Sequence, residues 1–379
     1  MNRILTAIIL TSAAVIFAYS QAAQKTTSHK GGKPCFTQDD REKAERMAHV
    51  YRAPDPGYDP VLGYDPATGP RRGAPPVDEN GRALPFTCVA TDKPKDITGT
   101  LPKFYCTQPD AGGKRIRYKI KPHFKGQSAD KRNGEVYGEF LSSRFSKAMG
   151  FFADDEWVAD VTCQDCQNSL SKPFQGAPWS PFQPAADIEL SVGEGIDHDC
   201  NGEDYAPLAG SLKKLLENGT PRAQIDAFKL WLAFIDHGDT KDQNQRFACL
   251  NATDDNEFIK TCDRGDMIFY VADMGSTFGF AKESEKKARL ENWRGKDPIK
   301  VSGGQCTTTA KSVGDTHISE EGRRLLANNL QRLLDAEQQN HLITRVFKAS
   351  RNDERDQPAE AWTAEFIRKA KTIINARCR

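Results

Sequence analysis

The sequence predicts an α+β fold in which a sheet-rich half precedes a mainly helical half. Short apolar runs separated by turn residues, a pattern typical of β-strands, occupy much of residues 86–195. Apolar residues at helical spacing dominate residues 196–379, where the helices enclose one strand pair. Strands and helices that occur in separate runs, without regular alternation, indicate an α+β arrangement.

The elements of the sheet-rich half follow from the apolar pattern. A helix is predicted over residues 134–149, because Val136, Phe140 and Phe145 recur at approximately helical spacing. Strands are predicted at four places: 104–106, 116–120, 158–163 and 187–192.

The helical half contains longer periodic segments. The helix predicted over 221–236 begins with Pro221, a residue suited to the first turn. Another is predicted over 319–349, where Ser319 precedes two glutamates, and a last one over 358–377. Residues 267–272 (MIFYVA) form a buried strand among these helices.

The first 23 residues have the order of a secretory signal peptide. Arg3 gives a positive start, Ile4 to Tyr19 are almost wholly apolar, and Ala22 and Ala23 fit a cleavage site. The apolar run is short for a membrane span, and no basic flank follows it. We therefore expect a periplasmic or extracellular protein, with no stable membrane span after the signal peptide is cleaved.

Three further segments are predicted beyond the signal peptide. Residues 24–85 are rich in Pro and Gly and predict a flexible N-terminal extension, with one short helix over 38–51. Residues 86–195 form the sheet-rich unit, and residues 196–379 form the helical unit. Lys and Arg total 53 against 52 Asp and Glu, so no general attraction to nucleic acid is expected.

The exported part contains ten cysteines, an even number that favours disulfides in an oxidising compartment. Cys163 and Cys166 have the spacing of a zinc half-site or a redox pair. A zinc site would need two more ligands, for which His198 and Cys200 are the nearest in the sequence. Structural disulfides are the favoured interpretation, because no second such pair occurs in the sequence.

Three features in the first half of the chain suit phosphate binding. A turn that contains Gly99, Thr100 and Lys103 can present backbone N–H groups to a phosphate. Lys121 ends a predicted strand and could pair with phosphate oxygens if a carboxylate held it in place. Glu135 and Glu139 lie one turn apart on the next helix, and either could do so. Taken singly, each feature is also typical of an ordinary turn or a surface charge pair.

Two acidic loops in the second half suit metal binding and phosphate transfer. Asp239 and Asn244 are five residues apart in a polar loop, where the aspartate could orient a hydroxyl and the amide oxygen could bind Mg²⁺. Asp273 ends the buried strand and precedes Met274 and Gly275, a position suited to a metal that bridges two phosphates. Capping and strand-ending turns are the alternative for both.

The joint order of these motifs resembles the protein-kinase-like superfamily, in particular its HipA-like kinases, type II phosphatidylinositol 4-kinases and secretory-pathway kinases. The likeness covers roughly residues 96–280. Residues 97–103 are similar to the phosphate loop of these branches, and residues 120–122 to their Lys-Pro strand end. Residues 239–244 resemble the catalytic loop, and residues 273–275 the metal-binding Asp motif.

The resemblance implies a two-lobed fold, with a small antiparallel-sheet lobe that carries one helix and a mainly helical lobe. It implies ATP with Mg²⁺ or Mn²⁺ as cofactors, and phosphate transfer to an unknown acceptor. Lys121 would contact the nucleotide phosphates and Asp239 would be the catalytic aspartate. Asn244 and Asp273 would hold Mg²⁺. The chain departs from the usual kinase pattern, since Gly238 precedes the catalytic aspartate and the full glycine-rich loop is absent.

A calcium site is a further expectation. Asp197, Asp199 and Asn201 stand at the first, third and fifth positions of a loop that has Gly202 at the sixth, as in EF-hand loops. Leu208 replaces the glutamate expected at the twelfth position, so an acidic turn beside Cys200 is the alternative.

Three functions therefore follow from the sequence. The first is an exported kinase-like phosphotransferase. The second is a catalytically degraded kinase-like binding module, and the third is a calcium-stabilised secreted structural protein. A hydrolase is disfavoured, because neither a Gly-x-Ser-x-Gly nor a His-Glu-x-x-His motif occurs.

Overall fold

A computed structural model describes residues 38–91, 103–110, 112–122, 134–166, 180–195, 207–241, 244–250, 262–263, 265–279 and 288–379. Within these ranges the chain is a mixed α+β structure, as the sequence predicts. Most of its strands precede residue 196, and most of its helices follow it. The candidate residues Gly99, Thr100, Asp197, Asp199 and Asn201 lie outside the described ranges.

The first sheet is a closed five-stranded barrel. Its strands are β1 (Phe86–Ala90), β2 (Phe104–Pro109), β3 (Arg115–Lys121), β4 (Asp155–Gln164) and β5 (Phe182–Leu190). They follow the order β1-β2-β3-β5-β4, and β1 closes the barrel by pairing in parallel with β4. The prediction of a wholly antiparallel sheet is therefore wrong for the pair of β1 and β4. Closure satisfies the backbone groups that an open sheet would leave at its edges.

Alternation along the strands separates an apolar barrel interior from a charged outer face. Phe104, Tyr118, Trp157 and Ile188 belong to the interior cluster. On the outer face, Lys119 lies opposite Glu189, and Lys121 lies opposite Asp187, in the register of β3 and β5. Because side chains alternate along a strand, the same pattern that fills the barrel presents these charges on its other side.

Helix α2 (Glu135–Ala148) packs against β4 and β5 and is buried on nearly every side. Such a helix lies between two layers and does not line a surface. Its Phe145 contacts Phe347 and Phe366 of the helical region, with ring centroids 5.6 and 4.8 Å away. Helix α2 therefore links the barrel to the helices.

The helical region contains the predicted helices, one of them divided, and two helices that the sequence did not predict, Leu208–Glu217 and Leu290–Trp293. The helix predicted over 319–349 is two helices, because His341 adopts a left-handed conformation with φ of 58°. Ser319 caps the first of them, its hydroxyl accepting a hydrogen bond from Gly322 N–H at 3.2 Å. The helices are α1 (Gln38–Met47), α3 (Leu208–Glu217), α4 (Arg222–Phe234), α5 (Leu290–Trp293), α6 (Glu320–Asn340), α7 (Leu342–Ala349), a 3₁₀ turn (Asn352–Glu354) and α8 (Ala359–Asn375).

Two small sheets complete the described structure. One consists of β6 (Glu194–Gly195), β7 (Gln245–Cys249) and β8 (Met267–Val271), in that order, and contains the predicted buried strand. The other is formed by β9 (Ile299–Ser302), β10 (Gln305–Thr308) and β11 (His317–Ile318). The sequence did not indicate the second sheet, because its strands are short and β9 is mostly exposed.

The described part of the predicted N-terminal extension, residues 38–85, is anchored at several points. Val50 and Val61 are fully buried. The hydroxyl of Tyr118 donates to the carbonyl of Gly73 at 2.7 Å, and Arg71 pairs with Asp155 at 2.7 Å. These contacts hold the segment against β3 and β4.

Four disulfides link cysteines of the described residues: Cys88–Cys106, Cys163–Cys166, Cys249–Cys262 and Cys306–Cys378. The structure therefore places these eight residues in pairs that can form disulfides, as the sequence predicts. His198 and Cys200, the two further zinc ligands considered above, lie outside the described ranges. Among the helices that are described, none combines the length and apolar character needed to cross a membrane.

Candidate active site

A buried ion pair between Lys121 and Glu139 lies at the centre of the site. Lys121 is the last residue of β3, and its ammonium pairs with Oε1 of Glu139 on α2. Each residue is 1% exposed. The structure thus pairs the lysine with Glu139. Glu135, the other candidate, lies one turn earlier, where its Cβ faces Gly275.

Asp273 lies directly beside this pair. Its Oδ1 is 3.7 Å from Nζ of Lys121, and its side chain is 36% exposed, whereas Lys121 and Glu139 are almost completely covered. The next residue, Met274, donates its backbone N–H to Oε2 of Glu139 at 3.0 Å. Glu139 therefore holds both the strand-end lysine and the segment that carries Asp273.

Two glycines allow α2 to approach that segment closely. A Cβ on Gly138 would lie 2.5 Å from the carbonyl oxygen of Gly275, and a Cβ on Gly275 would lie 2.6 Å from Cβ of Glu135. Thr277 stabilises the contact, because its hydroxyl lies within hydrogen-bonding distance of two carbonyl oxygens, that of Met274 at 2.7 Å and that of Gly138 at 3.2 Å. Glycine at these positions is thus required for the Glu139–Met274 contact.

The loop with Asp239 and Asn244 is attached to the same segment. The backbone N–H of Ala272, the residue before Asp273, donates to the carbonyl of Asn244 at 2.7 Å. The N–H of Gly238 donates to the carbonyl of Ser276 at 2.9 Å. These two hydrogen bonds place the loop beside Asp273.

The side chains of this loop have their own contacts. The amide nitrogen of Asn244 donates to the backbone carbonyl of Asp239 at 3.1 Å, so its amide oxygen is the atom that can bind a cation. Oδ2 of Asp239 pairs with Nζ of Lys241 at 2.8 Å. That hydrogen bond raises the pKa of Lys241, and the carboxylates of Asp273 and Glu135 add to the rise.

A second lysine and a third carboxylate extend the cluster. Lys119 pairs with Oε2 of Glu189, which also lies 3.5 Å from Nζ of Lys121. Neither Lys119 nor Glu189 was predicted as a site residue. The available signal was spacing, since Lys119 and Lys121 are two residues apart and therefore lie on one face of β3.

Lys103 belongs electrostatically to the same cluster. Burial, together with the positive charges of Lys119 and Lys121, lowers its pKa to about 8, although the carboxylates of Asp273 and Glu189 oppose the shift. Lys103 immediately precedes β2 and is the described end of the predicted phosphate loop. A bound anion would therefore stabilise the charged form of Lys103.

The aspartate and the lysine at the centre both remain charged. Burial opposes the charge of Asp273, but Lys121 and Lys119 hold its pKa well below the usual range. Burial likewise opposes the charge of Lys121, and Glu139 and Asp273 raise its pKa well above the usual value. The cleft thus presents an ionised carboxylate beside a fixed ammonium.

The donor set suits a hard divalent cation. Asp273 offers an ionised, partly exposed carboxylate, and Asn244 offers an amide oxygen from the adjacent loop. Mg²⁺ and Mn²⁺ are bound in proteins by such oxygen ligands, often by only one or two of them together with phosphate oxygens. These two residues would hold the cation, which would neutralise phosphate charge.

Comparisons with known proteins do not assign this chain to a family. No family model matches the chain, and no curated protein matches it. Among solved structures, the chain is similar to one described as a proinflammatory kinase, CtkA, of Helicobacter pylori. The two chains share 10% identity at a TM-score of 0.36, over 77% of this chain and 99% of that one. At this TM-score, the likeness carries no argument about the activity of this chain.

Proposed function

We propose that this chain is an exported kinase-like phosphotransferase that binds ATP with Mg²⁺ or Mn²⁺ and transfers phosphate to an acceptor. The observation that supports the proposal most is the buried Lys121–Glu139 pair with Asp273 3.7 Å from the lysine. Phosphate transfer needs charge neutralisation and positioning more than a protein nucleophile. A fixed ammonium beside an ionised, accessible carboxylate meets that need.

Each residue has a distinct role in this proposal. Lys121 binds phosphate oxygens, and Lys103 adds a second positive charge. Asp273 and Asn244 hold the cation. Asp239 orients the acceptor hydroxyl and accepts its proton as the new phosphate ester bond forms. Glu139 does not touch the nucleotide but holds Lys121 and the backbone after Asp273.

One observation favours a second candidate, a kinase-like module that binds nucleotide without transferring phosphate. Asp239 pairs with Lys241 at 2.8 Å, which occupies the carboxylate that would receive the proton. Lys241 is 66% exposed, so nucleotide binding could also draw its ammonium toward phosphate and free Asp239. The two candidates differ in whether bound ATP is consumed.

The first experiment separates nucleotide binding from its absence. The mature chain would be purified with its disulfides intact, and its melting would be measured with ATP and Mg²⁺ or Mn²⁺. Ligand at a hundred times its Kd stabilises a protein by about 2.7 kcal/mol. We expect the nucleotide–metal complex to raise the melting temperature of the wild type and of Asp335→Asn, an exposed control on α6. We expect no rise in Lys121→Met and Asp273→Asn. A wild type that ignores both metal–nucleotide complexes contradicts the proposal.

The second experiment separates transfer from mere binding. Release or transfer of the γ-phosphate would be followed with labelled ATP in wild type and Asp239→Asn. We expect the variant to keep the melting shift and to lose at least about 100-fold in rate, the usual contribution of a positioned proton acceptor. No turnover despite nucleotide binding would favour the binding module. Equal, measurable rates in the two proteins would contradict the role given to Asp239.

Export and calcium require separate tests. Cell fractionation would show whether the mature chain, without residues 1–23, accumulates outside the cytoplasm. The calcium-stabilised alternative depends on Asp197, Asp199 and Asn201. It predicts a melting temperature that falls when a chelator is added and recovers with Ca²⁺, whereas insensitivity would exclude a stabilising calcium site.

A further inference from the structure

Four cysteines meet in the apolar interior of the barrel, on the opposite face of the strands from Lys119 and Lys121. Cys88 lies on β1, Cys106 on β2 and Cys163 at the end of β4, and Cys166 follows after a turn. All four are at most 1% exposed and belong to the apolar interior of the barrel. The other two disulfides, Cys249–Cys262 and Cys306–Cys378, belong to the larger hydrophobic cluster.

The register of β1 explains why two disulfides come together. Cys88 lies opposite Cys163 in the parallel pairing of β1 with β4. On the other side of β1, Ala90 lies opposite Cys106, so Cys88 and Cys106 are diagonal neighbours, with Cα atoms 5.7 Å apart. The sulfur atoms of Cys88, Cys106 and Cys163 all lie within 4.8 Å of one another. A sulfur on Cys163 therefore has both sulfurs of the Cys88–Cys106 disulfide within reach.

We propose that these four cysteines form an internal dithiol–disulfide relay, in which Cys163 exchanges electrons between the Cys163–Cys166 pair and the Cys88–Cys106 disulfide. Disulfides exchange when a thiolate attacks one sulfur of another disulfide and forms a mixed disulfide. The relay needs no movement of the strands, because β1 already pairs with both β2 and β4.

The steps balance with an external dithiol as the reductant. The dithiol gives two electrons and two protons to Cys163–Cys166 and is itself oxidised to a disulfide. The Cys163 thiolate then attacks the sulfur of Cys88 or Cys106, that disulfide breaks, and the departing sulfur takes up the proton that Cys163 released. Cys166 next attacks Cys163, which restores Cys163–Cys166 and leaves two thiols at Cys88 and Cys106.

The position of the Cys163–Cys166 pair suits it as the entry point. Gln164 and Asp165, the two residues between the cysteines, are both exposed. Asp165 adopts a left-handed conformation with φ of 59°, and this turn brings Cys166 back to the barrel interior. This exposed loop is where an external dithiol would enter the relay. In the mixed state, a Cys88–Cys163 bond would join β1 to β4 in place of β2.

The decisive experiment removes the resolving cysteine. In Cys166→Ala, Cys163 has no partner of its own and can attack the neighbouring disulfide. The mature variant would be equilibrated with a low concentration of dithiothreitol at about pH 8, where thiolate forms readily. The reaction would be stopped with acid, free thiols would be alkylated, and the disulfides would be mapped by peptide mass spectrometry. We expect Cys163 joined to Cys88 or Cys106, with the new free thiol on the other one. An intact Cys88–Cys106 bond with the thiol remaining on Cys163 overturns the proposal.

Two matched variants identify the attacking sulfur. Cys163→Ala leaves Cys166 free and is expected to keep Cys88–Cys106 intact. Cys262→Ala frees Cys249 in the other hydrophobic cluster and is expected to leave the barrel disulfides unchanged. Mixed disulfides in either variant would mean that exchange is unspecific and would overturn the assignment of Cys163.

A measurement on the wild type covers the case in which the variants fail to fold. After partial reduction, we expect the thiols to be shared among all four cysteines, while Cys249 and Cys306 remain bonded. Labelling confined to Cys163 and Cys166 overturns the relay. Stoichiometric retention of Zn²⁺ by the fully reduced protein, without any mixed disulfide, would identify a metal–thiolate centre and would also overturn it.

Discussion

Glu139 accepts the backbone N–H of Met274 at 3.0 Å through Oε2, while its other carboxylate oxygen pairs with Lys121. One buried side chain on α2 thus connects the end of β3 with the segment that follows β8. If α2 moves, both Lys121 and Asp273 lose their positions. The geometry of the proposed site therefore depends on the packing of this helix.

Replacing Glu139 with Gln should remove the charge but keep an oxygen for Met274. Lys121 would then retain Glu189 at 3.5 Å and Asp273 at 3.7 Å as its anionic partners. Removing one partner of a buried ion pair costs about 3–5 kcal/mol. The two remaining carboxylates place the expected loss at the lower end of that range. Urea unfolding would measure it, with Glu135→Gln as the matched control on the same helix. Equal losses in the two variants would contradict the role given to Glu139.

Replacing Gly138 with Ala should push α2 away from the segment after Asp273. The new Cβ would meet the carbonyl oxygen of Gly275 at 2.5 Å, a backbone atom that cannot rotate away. We expect a loss of stability of about 1–3 kcal/mol, as for other overpacked sites, and weaker nucleotide binding. Gly265→Ala is the control, because a Cβ there would meet nothing within 4 Å. Equal melting temperatures and equal nucleotide affinities in Gly138→Ala and Gly265→Ala would contradict this role of Gly138.

Nucleotide affinity should fall as the pH rises through about 8. Burial lowers the pKa of Lys103 to about 8, so its ammonium is lost between roughly pH 7 and 9 in the unliganded protein. A bound phosphate would favour the charged form and would therefore draw in a proton. Kd would be measured by calorimetry across this pH range. The Lys103→Met variant is expected to bind nucleotide more weakly at pH 7 and to show no fall in affinity between pH 7 and 9. The same fall in affinity in the variant would exclude Lys103 as its cause.

Stability should fall as the pH rises from about 4 to 7, because of Asp187. Burial raises the pKa of this carboxyl from 3.8 to about 7, so the folded protein holds a proton that the unfolded chain has released. The favourable contribution is complete below about pH 4 and is lost by about pH 7, with a slope of at most about 1.4 kcal/mol per pH unit. Asp187→Asn should flatten that part of the profile in urea unfolding, and Asp335→Asn should not. A profile that is unchanged in Asp187→Asn would disprove the assignment.

The C-terminal disulfide should contribute more to stability than the one between β7 and Cys262. Cys306 and Cys378 are 72 residues apart, and Cys249 and Cys262 are 13 apart. Restriction of the unfolded chain gives roughly 4.4 kcal/mol for the longer loop and roughly 2.9 kcal/mol for the shorter one. Urea unfolding of the two double Cys→Ser variants would test the order, and the reverse order would contradict the loop-entropy account.

Much of the site was visible in the sequence as isolated pieces. Lys121, Asp239, Asn244 and Asp273 were singled out because each stands at a strand end or in a polar loop. The structure brings them to adjacent backbone segments. The sequence left the choice between Glu135 and Glu139 open, because both lie on one helical face. The choice depends on the depth at which α2 packs, which Gly138 and Gly275 set.

The amino-acid sequence by itself determined several local elements: the buried strand at 267–271, the helix within 134–149 and the helices near 221–236 and 358–377. Such patterns arise between residues a few positions apart, so they can be read along the chain. The tertiary structure alone decided that β1 closes a barrel, that His341 interrupts a helix and that Cys88 lies beside Cys163. These features depend on strand register and on packing between distant segments, and no local pattern encodes which distant partner a residue will meet.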